Sequence, residues 1–174
     1  MLKVLRALEQ EPVGINHLRR AVVQMGMRTR VRVMLYDDLP NKGRMEDLMR
    51  KWKGLIVLYT LHGKNADGVG HYACVVKRPS HFEYFSSYGL PPDAEIAATH
   101  SDRGKLMRLL GRNYRISKAK LQGRFHTNTC ARWALCRSVL ADLPNSAFIK
   151  TFSGRLHLDK PDDVVSLATL FCIR

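Results

Sequence analysis

Apolar residues recur at helical spacing over Leu2–Gln10 (Leu2, Leu5, Leu8), and Pro12-Val13-Gly14 breaks the run. A second helix is expected over Ile15–Met25, with Leu18, Val22 and Met25 on one face. Arg30–Tyr36 alternates basic and apolar residues before turning apolar, as a strand does. Met45–Trp52 reads as a short helix. Gly54–Leu61 is continuously apolar and suits a buried central strand. Lys64–Gly68 is turn-forming, and a strand follows from Gly70-His71 through Tyr72-Ala73-Cys74-Val75-Val76. Another runs over His81–Gly89 and is closed by Leu90-Pro91-Pro92-Asp93. Arg103–Leu110 is expected helical, Tyr114–Leu121 extended and Cys130–Ala141 a core helix. Pro161–Phe171 reads as a final helix, with Asp162 and Asp163 in the first turn, where the helix dipole favours acids. No repeat, low-complexity tract or domain boundary interrupts the chain. The expectation is one α+β domain over residues 1–174: a central, mostly antiparallel sheet with the Cys130 helix packed on it.

Composition adds two things. A chain of 174 residues with 45% apolar content can bury a core. Its charge is unusual: 29 Lys and Arg stand against 15 Asp and Glu, a formal +14. The bases cluster at Arg28, Arg30 and Arg32, at Lys42 and Arg44, at Arg50, Lys51 and Lys53, and at Arg112, Arg115, Lys118 and Lys120. A polyanion is the natural partner for such clusters, and without a base-reading motif the contact would be non-specific DNA binding. A merely solvated basic surface would have the same composition. Four cysteines without framework spacing suggest reduced thiols, hence a cytosolic, nuclear or virion setting. The start, Met1–Leu8, is too short and too charged for a signal peptide, so a secreted protein is not expected. No apolar stretch approaches the ~20 residues that span a bilayer, so no membrane partner is expected. The histidines are scattered and no C-x-x-C occurs, which argues against a structural zinc.

The candidate chemistry centres on Cys130. Thr127-Asn128-Thr129 are all plausible N-cap residues for the helix that Cys130 opens. That placement puts the sulfur at the positive end of the helix dipole, where thiolate is favoured. A small buried residue of a core helix would fit the same pattern. Thiol catalysis needs a base, an orienter and an oxyanion donor. His71 stands at a strand start, Ser86 lies in the next strand, and Gln122 precedes Cys130 by eight residues. Cys74, Cys136 and Cys172 read as packing residues, Glu83 as an exposed strand carboxylate facing away from Ser86, and His126 as a loop histidine.

In this stretch, from Gly70 to Leu140, the sequence resembles the adenain-like cysteine proteases of adenoviruses, related large DNA viruses and Polinton elements. Their pattern is a Gly-His-aromatic strand, an aromatic-acid-x-aromatic-Gly strand, a Gln, then Asn/Ser-x-Cys-Gly opening a core helix. The resemblance implies that His71 is the general base, Cys130 the nucleophile, and Gln122 the oxyanion donor together with the Cys130 backbone N–H. Ser86 falls where the family has an acid or amide, Ala131 where it has Gly. The Gln–Cys interval is one residue longer, which makes Asn128 a reserve donor. The implied protein is a thiol endopeptidase that cleaves viral precursor and structural proteins during virion maturation, with glycine-like residues before the cut. It would work in the virion or in the host nucleus or cytoplasm, with no cofactor beyond DNA or a peptide as activator. Two other classes fit the same residues: an isopeptidase for ubiquitin-like modifiers, and a catalytically inactive, basic, nucleic-acid-binding core protein of the same fold.

Overall fold

In a computed structural model, which describes residues 2–60, 70–94, 104–123, 127–152 and 161–173, five strands form one sheet. They are β1 (Val31–Leu35), β2 (Gly54–Thr60), β3 (Gly70–Lys77), β4 (Phe82–Ser86) and β5 (Tyr114–Ile116), lying side by side in chain order. The three central strands pair antiparallel, as expected, and the edge strands β1 and β5 add in parallel. Parallel neighbours need a crossover connection rather than a tight turn. Both are supplied here: α3 (Met45–Leu48) lies between β1 and β2, and α4 (Lys105–Leu110) between β4 and β5. The other helices among the described residues are α1 (Leu2–Gln10), α2 (Ile15–Gln24), α5 (Cys130–Val139), α6 (Asn145–Phe152) and α7 (Pro161–Thr169).

Period-two alternation sends the sheet into two cores. Ile56, Leu58, Tyr72, Cys74 and Val76 meet Ala131, Ala134 and Leu135 of α5 and Leu18, Ala21 and Val22 of α2. Leu55, Val57, Tyr59, Ala73 and Val75 face α4 (Leu106, Leu109, Leu110) and Met45 on the other side. β2 is therefore buried along its whole length, the environment its unbroken apolar run requires. A third cluster, Phe85, Trp133, Phe148, Phe152 and Val165, joins β4 to α5, α6 and α7.

Three departures from the sequence reading have physical causes. α3 stops at Leu48, short of Trp52, because the chain must turn into β2, where Lys53 N–H and Gly54 N–H both donate to Arg30 O. α6 was not anticipated. Its Phe148 and Phe152, one turn apart, fill the third cluster, and its first residue, Asn145, is held by Glu83. Glu83 itself is buried rather than exposed. Arg137 of α5, also buried, donates to it at 2.7 Å and to Asn145 Oδ1 at 2.8 Å, so the carboxylate stitches β4, α5 and α6 together. The expected turn at Lys64–Gly68 and His126 lie outside the described residues.

Candidate active site

His71 is the second residue of β3, Ser86 the last of β4, and Cys130 the first of α5. All three stand at element ends, so they meet at the edge where the strands stop. Ser86 pairs with Ala73, and residues two apart share a strand face, so His71 reaches Ser86 on the diagonal. The contact is a hydrogen bond, His71 Nε2 to Ser86 Oγ at 3.1 Å. Cys130 Sγ directs its S–H toward the carbonyl of Gly70, the residue before His71, at 3.9 Å. Gly70 is also where β3 lies closest to β2: a Cβ there would lie 1.9 Å from the carbonyl oxygen of Tyr59.

The electrostatics follow from burial. His71 is almost entirely enclosed, and desolvation pushes its pKa from 6.5 down to about 3. Ser86, the partner of its Nε2, is a neutral hydroxyl and brings no charge to offset that cost. The ring is thus neutral near pH 7, and its tautomer decides its chemistry. Ser86 Oγ also accepts from the Tyr88 N–H at 3.3 Å. A hydroxyl has two lone pairs and one proton, so it can either accept from Nε2–H or donate to Nε2. Only the first arrangement leaves Nδ1 basic. Tyr88 stacks on the imidazole with 4.7 Å between ring centres and so fixes the plane of the ring.

Gln122 is buried beside this pair. Its Oε1 accepts from Ser87 Oγ at 2.6 Å, and its Nε2 donates to Thr127 O at 2.7 Å and to Tyr88 Oη at 3.1 Å. The Thr127 carbonyl can only accept, which fixes the amide orientation. Both amide hydrogens are committed, so polarising an oxyanion requires Gln122 to release the longer bond, to Tyr88. Asn128, the reserve donor, does not take that part. Its side chain donates to Gln10 O at 2.6 Å and its backbone N–H to Glu9 O, both at the end of α1.

The expected N-cap is also different. Thr129 occupies the cap position but with helical φ and ψ and no capping bond from its side chain. Its hydroxyl donates instead to Asp162 Oδ1 at 2.5 Å. Ala131, in place of glycine, points its methyl into the core with Ile56 and Leu58. Among the other thiols, burial pushes Cys74 up to about 11 and Cys136 up to about 12, which makes them poor nucleophiles. Sequence reasoning missed Ser87, Tyr88 and Asp162 as parts of this network. The aromatic before Gly89 was a visible signal for Tyr88; nothing local links Asp162 to Thr129.

Two groups of basic residues fall at the two ends of the sheet. Arg28, Arg30, Arg32, Arg50, Lys51 and Lys53 gather at the β1 end, because the Lys53 backbone N–H is bonded to Arg30 O. Arg112, Arg115, Lys118 and Lys120 are exposed at the β5 end. Part of the first group is engaged internally. Arg30 and Lys53 both pair with Asp142, and the Arg32 guanidinium sits 4.5 Å from the centre of the Trp52 ring. Among the described residues no helix is long and apolar enough to cross a membrane, and no group of His, Cys, Asp and Glu could hold a metal.

No protein-family model and no curated protein matches the sequence. In structure the chain is similar to the ASFV pS273R protease, with a TM-score of 0.51 and 13% identity over 90% of this chain and 67% of that one. The α+β architecture derived above is therefore a fold that a viral protease also uses.

Proposed function

We propose that this chain is a thiol endopeptidase with Cys130 as nucleophile and His71 as base. What supports the reading is one arrangement: a cysteine at a helix start against the residue preceding a histidine whose Nε2 is hydrogen-bonded to Ser86. His71 accepts the thiol proton at Nδ1 as the sulfur attacks the scissile carbonyl, then returns it to the leaving amine. Because burial keeps the ring neutral at rest, His71 has a lone pair available to take up the proton during attack. Proton transfer accompanies attack. Gln122 and the Cys130 backbone N–H serve the developing oxyanion once the amide leaves Tyr88. Viral precursor and structural proteins, cut during virion maturation after small residues such as glycine, are the proposed substrates. Virion, nucleus or cytoplasm is the proposed setting, with DNA as a non-specific partner.

A second reading has its own support. Ser86 in place of an acid, the strongly depressed His71 and the committed Gln122 amide would all be expected of an inactive core protein that kept the fold. An electrophilic peptide ending in a vinyl sulfone separates the two. An active site adds the probe to Cys130 in the wild type, not in His71→Ala, and Cys130→Ala loses proteolysis without losing the fold. A wild-type protein that is neither labelled at Cys130 nor cleaves any peptide is the inactive form. An isopeptidase would cleave ubiquitin-like fusions and leave peptide precursors intact.

A further inference from the structure

Asp162 takes no part in the chemistry above, yet its carboxyl group touches both halves of it. It is buried in the first turn of α7. Oδ2 accepts the backbone N–H of Gly123 at 2.8 Å, one residue past Gln122. Oδ1 accepts Thr129 Oγ1–H at 2.5 Å, one residue before Cys130, and Trp133 Nε1–H of α5 at 2.9 Å. An acid present only to complement the α7 dipole has no need of such partners; these bonds run to α5 and to the Gln122 segment. Resting on the peptidase reading, we infer that Asp162 is a positioning residue that holds the oxyanion donor segment in register with the start of the nucleophile helix.

The partners explain why the residue is an acid. Gly123 N–H and Trp133 Nε1–H can only donate, and they address different oxygens. Both oxygens must therefore accept. An asparagine would turn its NH2 on one of the two donors and leave a buried donor unmet. Thr129 and Trp133 are fully buried, so the α5 side of the tether is rigid. Gly123 is exposed and brings no side chain to pack, so its place depends on backbone bonds. On the other flank, Leu121 N–H and Gln122 N–H both donate to Ser87 O. Asp162 closes the segment from the opposite side. A displacement of Gln122 by about an ångström is the kind of shift that costs on the order of 100-fold in rate.

The test compares full-length wild type with Asp162→Asn and Thr129→Val on three readouts. These are peptide hydrolysis, alkylation of Cys130 by iodoacetamide, and hydrogen exchange at the Gly123 amide. Alkylation needs the thiol but no oxyanion donor. For Asp162→Asn we expect faster Gly123 exchange, a kcat lower by about 100-fold with KM within about twofold, and an alkylation rate within about threefold of wild type. Thr129→Val keeps side-chain shape and removes one bond, so a kcat loss of about tenfold is expected, and it carries the test should Asp162→Asn fail to fold. Wild-type kcat in both variants, unchanged Gly123 exchange, or hydrolysis and alkylation falling together would each overturn the positioning role. A wild-type protein that hydrolyses no peptide, with Gly123 exchange still rising in Asp162→Asn, removes the peptidase reading instead and leaves a purely structural tether.

Discussion

At the residue scale the unusual element is a serine beside a buried imidazole. A carboxylate only accepts hydrogen bonds, so it would fix the proton on Nε2 and leave Nδ1 basic; Ser86 allows both tautomers. It also does little for the imidazolium that forms during attack. Ser86→Ala should therefore cost only a neutral hydrogen bond, ~0.5–1.5 kcal/mol, or roughly tenfold in rate at most. Ser86→Asp should raise activity and move the acid limb of the pH–rate profile upward, because the carboxylate favours the charged ring. A loss of several orders of magnitude in Ser86→Ala would contradict this weak-orienter picture, and a fall in Ser86→Asp would mean that another group orients His71. Stability carries a second signature of the same burial. The folded pKa of about 3 lies below the unfolded 6.5, so between these values the unfolded chain binds more protons. His71 leaves stability untouched above pH 6.5 and lowers it by about 1.4 kcal/mol per unit as pH falls through that window. Urea midpoints at pH 7 and pH 5 should diverge more for wild type than for His71→Phe; equal slopes would show that His71 is not desolvated.

Elements turn these residues into a site by ending in the same place. Gly70 sets the β3 end: the groups a Cβ would meet there, Tyr59 O, Tyr59 C and Thr60 Cα, are all backbone, and no rotamer relieves them. Gly70→Ala should force β2 and β3 apart, lowering stability by about 1–3 kcal/mol. Activity should drop more than that figure implies, since His71 and the carbonyl facing Cys130 move together. Thermal melting and kcat on one preparation check this, and a variant matching wild type on both would contradict the close approach. How much of this could be read from the sequence depends on the range of the forces involved. α1, α2, α5, α7 and the strands announced themselves because each carries its own periodicity, and β2 because a strand buried on two faces is apolar throughout. His71, Ser86, Gln122 and Cys130 could be named because their order along the chain is distinctive. Glu83 was misread because what buries it is Arg137, 54 residues away. Thr129 passed for a cap because its true partner is Asp162, 33 residues on, and no local pattern encodes either pairing.

For the whole molecule, the bases behind the formal +14 are not all free to meet a polyanion. Arg132 and Arg137 are fully buried in α5, and Asp142 holds both Arg30 and Lys53. Those two bases in turn keep the Asp142 carboxyl below the usual carboxylate range, through hydrogen bonds from Lys53 and then Arg30. The two groups of bases lie at the β1 and β5 ends of a five-stranded sheet. With strands ~4.8 Å apart, the two ends are separated by roughly 19 Å. A phosphate bound at the β1 end would have to compete with Asp142 for Arg30 and Lys53. Asp142→Asn should release them at little cost to the fold, because solvent and salt screen exposed ion pairs. If duplex DNA binds at this end, the variant should bind several-fold more tightly at low salt. Its log affinity should also fall more steeply with log salt, by about 1.8 for two added phosphate contacts. Neutralising Arg112, Arg115 and Lys118 at the far end should flatten the slope without changing the effect of Asp142→Asn, since the two patches act separately. Fluorescence anisotropy across a salt series measures both. An affinity that ignores Asp142 would place the DNA elsewhere on the surface, and one that ignores salt would mean that phosphates are not what the basic clusters hold.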